Sequence, residues 1–117
     1  MTSENGAAEA VNEVRLVGRI SQPPSERILP SGDSLWTFRL VVPRPEPSRG
    51  GRVGVDALEC AVWGGRARRT VRSWRAGDVV QVVGAVRRRF FRGAAGPVSR
   101  VEVEVAEARL IRRARPA

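Results

Sequence analysis

The chain has 117 residues, 42% of them hydrophobic, and carries 21 basic against 12 acidic residues for a formal charge of +9. That length supports one domain with its own core and not two, and the charge favours a polyanionic partner whose binding weakens with salt. His and Tyr are absent and Cys60 stands alone, so zinc clusters, histidine-based triads and disulfide frameworks are excluded.

All of the positive charge is arginine. A coding bias toward Ala, Gly, Pro and Val would favour that choice of residue, but it does not explain the net charge. No apolar run approaches the roughly 18 residues that span a bilayer, and the N-terminus lacks a charged-then-apolar signal pattern. A cytoplasmic protein is expected by default.

Residues 1–11 are small and polar without a period, and read as a flexible tail. From Val14 to Ile20, Val14, Leu16, Gly18 and Ile20 alternate with Arg15, Val17 and Arg19, the period of a half-buried strand, which Gln22, Pro23 and Pro24 end. A second strand runs from Leu35 to Val42 after the Pro30-Ser31-Gly32-Asp33 turn, with Trp36, Phe38, Leu40 and Val42 on one face. Trp36 is assigned to the core. Pro43 to Gly54 reads as a long loop, the kind that is usually functional or disordered in a compact domain. A third strand covers Val55 to Trp63, with Leu58, Cys60 and Val62 on its core face. Cys60 is expected to be a buried, inert thiol.

Gly64 and Gly65 break that strand. Ala67, Val71 and Trp74 then recur at helical spacing up to the stop Ala76-Gly77-Asp78, which predicts one short amphipathic helix with Trp74 in the core. Two long strands follow, Asp78 to Arg92 and Val98 to Ile111, joined by Gly93-Ala94-Ala95-Gly96-Pro97. Gly84, in the middle of the first, marks a bend or bulge. In the second, Arg100, Glu102 and Glu104 form a solvated face opposite Val101, Val103 and Val105. Residues 112–117 read as a short basic tail. The expected fold class is all-β: a five-stranded OB-fold Greek-key barrel over residues 12–111, with one short helix between strands three and four.

The run Arg87-Arg88-Arg89-Phe90-Phe91-Arg92 interleaves cations with rings, the pattern of a surface that holds phosphates on guanidinium groups and accepts any base on a flat face. Alternation puts Arg87, Arg89 and Phe91 on one side and Arg88, Phe90 and Arg92 on the other.

The segments Asn12 to Ile20, Pro30-Ser31-Gly32-Asp33 followed by Phe38, Cys60-Ala61-Val62-Trp63-Gly64, and Arg75-Ala76-Gly77-Asp78 leading to Val82-Val83-Gly84-Ala85-Val86 together resemble the bacterial single-stranded DNA-binding proteins. The resemblance spans residues 12 to 111. It implies base stacking on Trp63 and Phe91, while Ala57 stands where many members carry a further aromatic and Glu59 where a basic residue is common. It also implies homo-oligomers, tetramers or dimers, although Arg15 replaces a commonly apolar interface residue. The family's acidic, Phe-ended tip is not matched by the basic end Arg112-Arg113-Ala114-Arg115.

The nucleic-acid-binding set expected from these readings is Arg39, Arg44, Trp63, Arg87, Arg89 and Phe91, with loop arginines Arg49 and Arg52 extending the track. The function expected is sequence-independent binding of single-stranded DNA in replication, recombination or repair. No catalytic residue, cofactor, metal, membrane or small-molecule substrate is expected. Two alternatives stay open: RNA binding by the same fold, and a protein interaction module in a replication or repair assembly that uses Phe90 and Phe91 as contact residues.

Overall fold

The structure, a computed structural model, describes residues 9–45 and 54–115. Among the described residues, six strands and one helix follow in the order β1 (Val14–Ile20), β2 (Ser25–Ile28), β3 (Ser34–Pro43), β4 (Val55–Val62), α1 (Gly65–Val71), β5 (Val79–Gly93) and β6 (Gly96–Arg112). Five of the strands close a barrel. β1 pairs antiparallel with both β5 and β3, β3 with β4, and β5 with β6, while β4 and β6 meet in parallel at Cys60–Val103 and Ala61–Glu104. The expected five-stranded OB topology is therefore present, with α1 between the third and fourth barrel strands.

The alternating valines and leucines supply the core. Ile20, Leu40, Val62, Val71, Val80 and Val82 are fully buried, and Phe38, Cys60, Val103 and Val105 pack with them. Trp36 and Val42 rest partly buried against this cluster. Trp74 closes one end of it, its ring edge-on to Phe38 at 5.3 Å between centroids, one of the favoured aromatic arrangements. Burial pushes the Cys60 thiol up to about 12, with Glu59 and Glu102 adding to the effect, so this cysteine stays protonated and unreactive.

Three local features depart from the expectations. β2 was not anticipated: its Ser-Glu-Arg-Ile sequence is exposed throughout and pairs only with β3, so no apolar alternation announces it. The helix ends at Val71, before Trp74, because Ser73 and Trp74 donate to carbonyls three residues back (Thr70 and Val71) and the Ser73 hydroxyl also bonds the Thr70 carbonyl. This tighter turn still delivers Trp74 to the core. The β5–β6 hairpin turns on Ala94 and Ala95 alone, between paired Gly93 and Gly96, so both strands run closer to the tip than expected.

β6 also extends to Arg112, and the chain beyond it is held. Asp78 is completely buried and accepts hydrogen bonds from the backbone N–H groups of Arg75 and Ala114 and from the Arg113 guanidinium, each at 2.8 Å. Burial alone would raise its pKa, but these donors outweigh burial and hold the carboxyl below the usual carboxylate range. Residues 112–114 of the expected tail are thus part of the barrel's edge. Of the expected N-terminal tail, residues 1–8 lie outside the described residues, as do 46–53 of the loop after β3, including Arg49 and Arg52.

Candidate nucleic-acid interface

One outer surface of the barrel carries most of the expected site. Trp63 follows β4 directly, and Gly65, in the left-handed region at φ +73°, lets the chain turn into α1. The indole is 37% exposed, and the Arg89 guanidinium lies over its ring at 5.3 Å. Arg89 stands on β5 directly opposite Arg100 of β6, and Phe91 opposite Val98. Because directly opposed residues share a face and successive residues alternate, Arg87, Arg89, Phe91, Arg100, Glu102 and Glu104 all project from one side of the hairpin. Phe91 is 44% exposed, and Arg100 covers its ring at 5.1 Å. Each of the two rings thus carries a guanidinium on its surface.

The expected phosphate contacts are not bare cations. Arg39 faces Glu59 across β3 and β4 and pairs with it at 2.7 Å. Arg44 pairs with Asp56 at 2.8 Å near the open end of the same strand pair. Arg87 binds Glu104 at 2.8 Å, and Arg89 reaches both Glu102 at 3.0 Å and Glu104 at 3.1 Å. The pairing registers in the acids and bases: the hydrogen bond from Arg44 lowers the Asp56 pKa, the hydrogen bond from Arg87 lowers that of Glu104, and the hydrogen bond to Glu102 raises that of Arg89.

Exposure separates these pairs into two kinds. The Arg39, Arg44 and Arg87 side chains are at least half exposed, and ion pairs in such positions are worth only about 0.2–1 kcal/mol. A phosphodiester can therefore displace their carboxylates. Arg89 is different, since Glu102 is only 12% exposed and a second carboxylate supports the pair. It is held in place as the cover of Trp63.

Asn12 completes the surface at its rim. Its amide donates to the Val86 carbonyl at 2.7 Å and accepts from the Val86 N–H at 2.9 Å, extending the β1–β5 pairing by one more step. Asn12, Trp63, Arg87 and Glu104 line a groove of about 500 Å³. Among the described residues no cluster of His, Cys, Asp and Glu could hold a metal, and no helix is long and apolar enough to cross a membrane.

The sequence pattern described as the Single-strand binding protein family matches residues 11–111. The chain belongs to this family. Among its relatives, a Listeria innocua protein named single-stranded DNA-binding protein 3 is 34% identical over 97 residues, covering 83% of this chain and 61% of that one. An Oceanobacillus iheyensis protein named single-stranded DNA-binding protein is 31% identical over 97 residues, covering 83% of this chain and 60% of that one. The chain spans about 60% of the length of these curated relatives. A solved structure described as a Plasmodium falciparum SSB complex with ssDNA shares the fold at a TM-score of 0.74 and 20% identity, over 95% of this chain and 99% of that one.

For this member of the Single-strand binding protein family, the structure brings Trp63, Arg87, Arg89 and Phe91 onto one surface and sets the Arg39–Glu59 pair further along it. Arg44 lies at the far end of the β3–β4 pair, beside Asp56. Sequence reasoning missed Arg100, Glu102 and Glu104 as members of the site. Counting outward from a two-residue turn would have placed Arg100 opposite Arg89 and Glu102 opposite Arg87, but the turn itself was read as longer.

If phosphate meets these arginines as expected, the carboxylates compete with it for the same donors. Glu104→Gln is therefore expected to tighten binding of a single strand about threefold to tenfold at low salt and to steepen its salt dependence by up to about 0.7, the contribution of one released counterion. A fluorescence titration at several salt concentrations measures both quantities. An unchanged affinity would mean that Glu104 does not compete with the ligand.

Proposed function

We propose that this chain binds single-stranded DNA without sequence preference, as a non-enzymatic protein of replication, recombination or repair. The observation that supports this most is the juxtaposition of two exposed rings, Trp63 and Phe91, with the arginines of β5 on one outer surface. Bases stack on the rings at about 1–3 kcal/mol each, regardless of base identity. Phosphates exchange with the carboxylates on Arg87, Arg39 and Arg44. Duplex DNA keeps its base faces hidden, so it gains only the charge contribution.

The deciding experiment is a competition at moderate salt in which a labelled oligothymidine is displaced by unlabelled single strand or by matched duplex. The single strand is expected to compete at least about tenfold better, the worth of a single stacked base. Equal competition would leave only non-specific basic attraction and sink the proposal. RNA of the same length, added as a third competitor, tests the preference for DNA.

The same reading includes assembly as a homo-oligomer, a dimer or a tetramer. Apolar surface left open at Val17 on β1 and at Phe90 and Val101 on the reverse side of the hairpin supports it. Sedimentation equilibrium on the full chain gives the state directly.

A further inference from the structure

The arginines expected to meet phosphate are held by carboxylates, whereas those around α1 are not. Arg66, Arg69 and Arg72 follow one another at three-residue intervals on the exposed side of α1 and its C-terminal cap, while Ala67 and Val71 face the core. Arg109 of β6 is exposed beside them. None of these four makes an ion pair with a described carboxylate. Their charge is thus available to a ligand, as is that of Arg88, Arg92 and Arg100 on the hairpin.

A groove of about 610 Å³ runs between α1 and the β5–β6 pair, lined by Arg66, Thr70, Gln81 and Arg109 among others. It adjoins the groove that holds Trp63 and Arg87, for Val83, Ala106 and Glu107 form part of the wall of both. A strand leaving Trp63 has a continuous channel toward the α1 arginines. Residues three apart on a helix stand about 5–6 Å from one another, close to the spacing of successive phosphates in an extended strand.

We propose that the channel beside α1 is a second tract for the same nucleic acid strand, where Arg66 and Arg109 in its wall, and Arg69 outside the wall on the exposed side of α1, bind its phosphodiester backbone after it leaves Trp63. This rests on the single-strand reading above and extends it. The tract lines up arginines, Thr70 and Gln81 with no aromatic ring, so it holds the backbone without reading or stacking bases. The strand is favoured over an acidic peptide as occupant because the channel continues from the groove that holds Trp63 and Arg87. Glu107, in the shared wall, opposes the passage of phosphates and limits the affinity of the tract.

The test compares oligothymidines of about 12 and about 35 residues, the shorter within the span of one barrel, on the wild-type protein and on the triple variant Arg66→Gln/Arg69→Gln/Arg109→Gln. The variant is expected to bind the longer strand at least about fivefold more weakly, with a salt slope lower by about 2, three counterions at roughly 0.7 each, and the shorter strand as before. Lysine at the same three positions is expected to restore the long-strand affinity, since the tract uses charge. Circular dichroism melting keeps loss of folding apart from loss of contact.

Equal weakening of both strands, or of neither, overturns the second tract while the stacking site stands. Binding of a polyglutamate peptide that disappears in the triple variant, with the long strand unaffected, overturns it in favour of a peptide site. If the wild-type protein shows no preference for single strands over duplex, the failure lies in the underlying reading and the tract falls with it.

Discussion

Replacing Trp63 and Phe91 together by alanine is expected to weaken single-strand binding by roughly 2–6 kcal/mol, about thirtyfold to twenty-thousandfold, with the barrel still folded. The two rings supply the only base-stacking faces on the surface that also carries Arg87 and Arg89, among the described residues. Neither belongs to the core: Trp63 is 37% and Phe91 44% exposed. What the fold loses is two exposed cation–π contacts, each worth about 0.5–1 kcal/mol. Anisotropy of a labelled oligonucleotide reads the affinity, and the remaining Trp36 and Trp74 report folding by fluorescence. Affinity within twofold of the unmodified protein would move the bases to some other surface.

Gly84→Ala is expected to cost on the order of 4 kcal/mol or more, a large part of the 5–15 kcal/mol by which a domain is stable. Gly84 sits at a register shift between β5 and β6, where the strand bends to close the barrel. A Cβ there would run into the Glu104 carbonyl oxygen and stand 3.1 Å from the Val105 Cα. Every obstructing atom is backbone, so no side chain can rotate away and the strands must part. Gly64→Ala is the control, with an extended backbone and open space around its Cβ, and should change stability little. The measurement is the urea midpoint of each variant. A Gly84→Ala midpoint indistinguishable from that of Gly64→Ala would show that the strand pair tolerates a side chain at the bulge.

Most of the barrel was legible in the chain. The alternation from Val14 to Ile20 marks β1 to the residue, and Gly84 announces its bulge, because burial on one face leaves a period that survives in the amino acids. β2 was not legible, since it buries nothing and is held by backbone bonds to β3 and by one hydrogen bond from the Ser34 hydroxyl to the Glu26 carboxylate. The end of α1 was misplaced because Trp74 continues the apolar spacing past the point where the backbone has already tightened.

The candidate site was legible as a set of residue types and less so as a set of charges. Alternation puts Arg87, Arg89 and Phe91 together, and the resemblance to known proteins points to Trp63. Which carboxylate meets which arginine depends on the register between strands, however, and a single strand's pattern does not contain it. Glu102 and Glu104, read as a solvated face, turn out to decide which arginines can release their partner and which cannot.

The guanidinium over each ring has a kinetic consequence. If bases stack as proposed, one reaching Phe91 displaces Arg100, which has no ion pair among the described residues and moves aside by rotation of its own side chain, whereas Arg89 leaves Trp63 only when its pairs with Glu102 and Glu104 break. When the base departs, the guanidinium returns. A strand would then advance at Phe91 by trading places with arginine, and would be held longer at Trp63, where the covering cation is anchored. Tight attachment and easy sliding are then compatible, with residence time set by how many rings are engaged together.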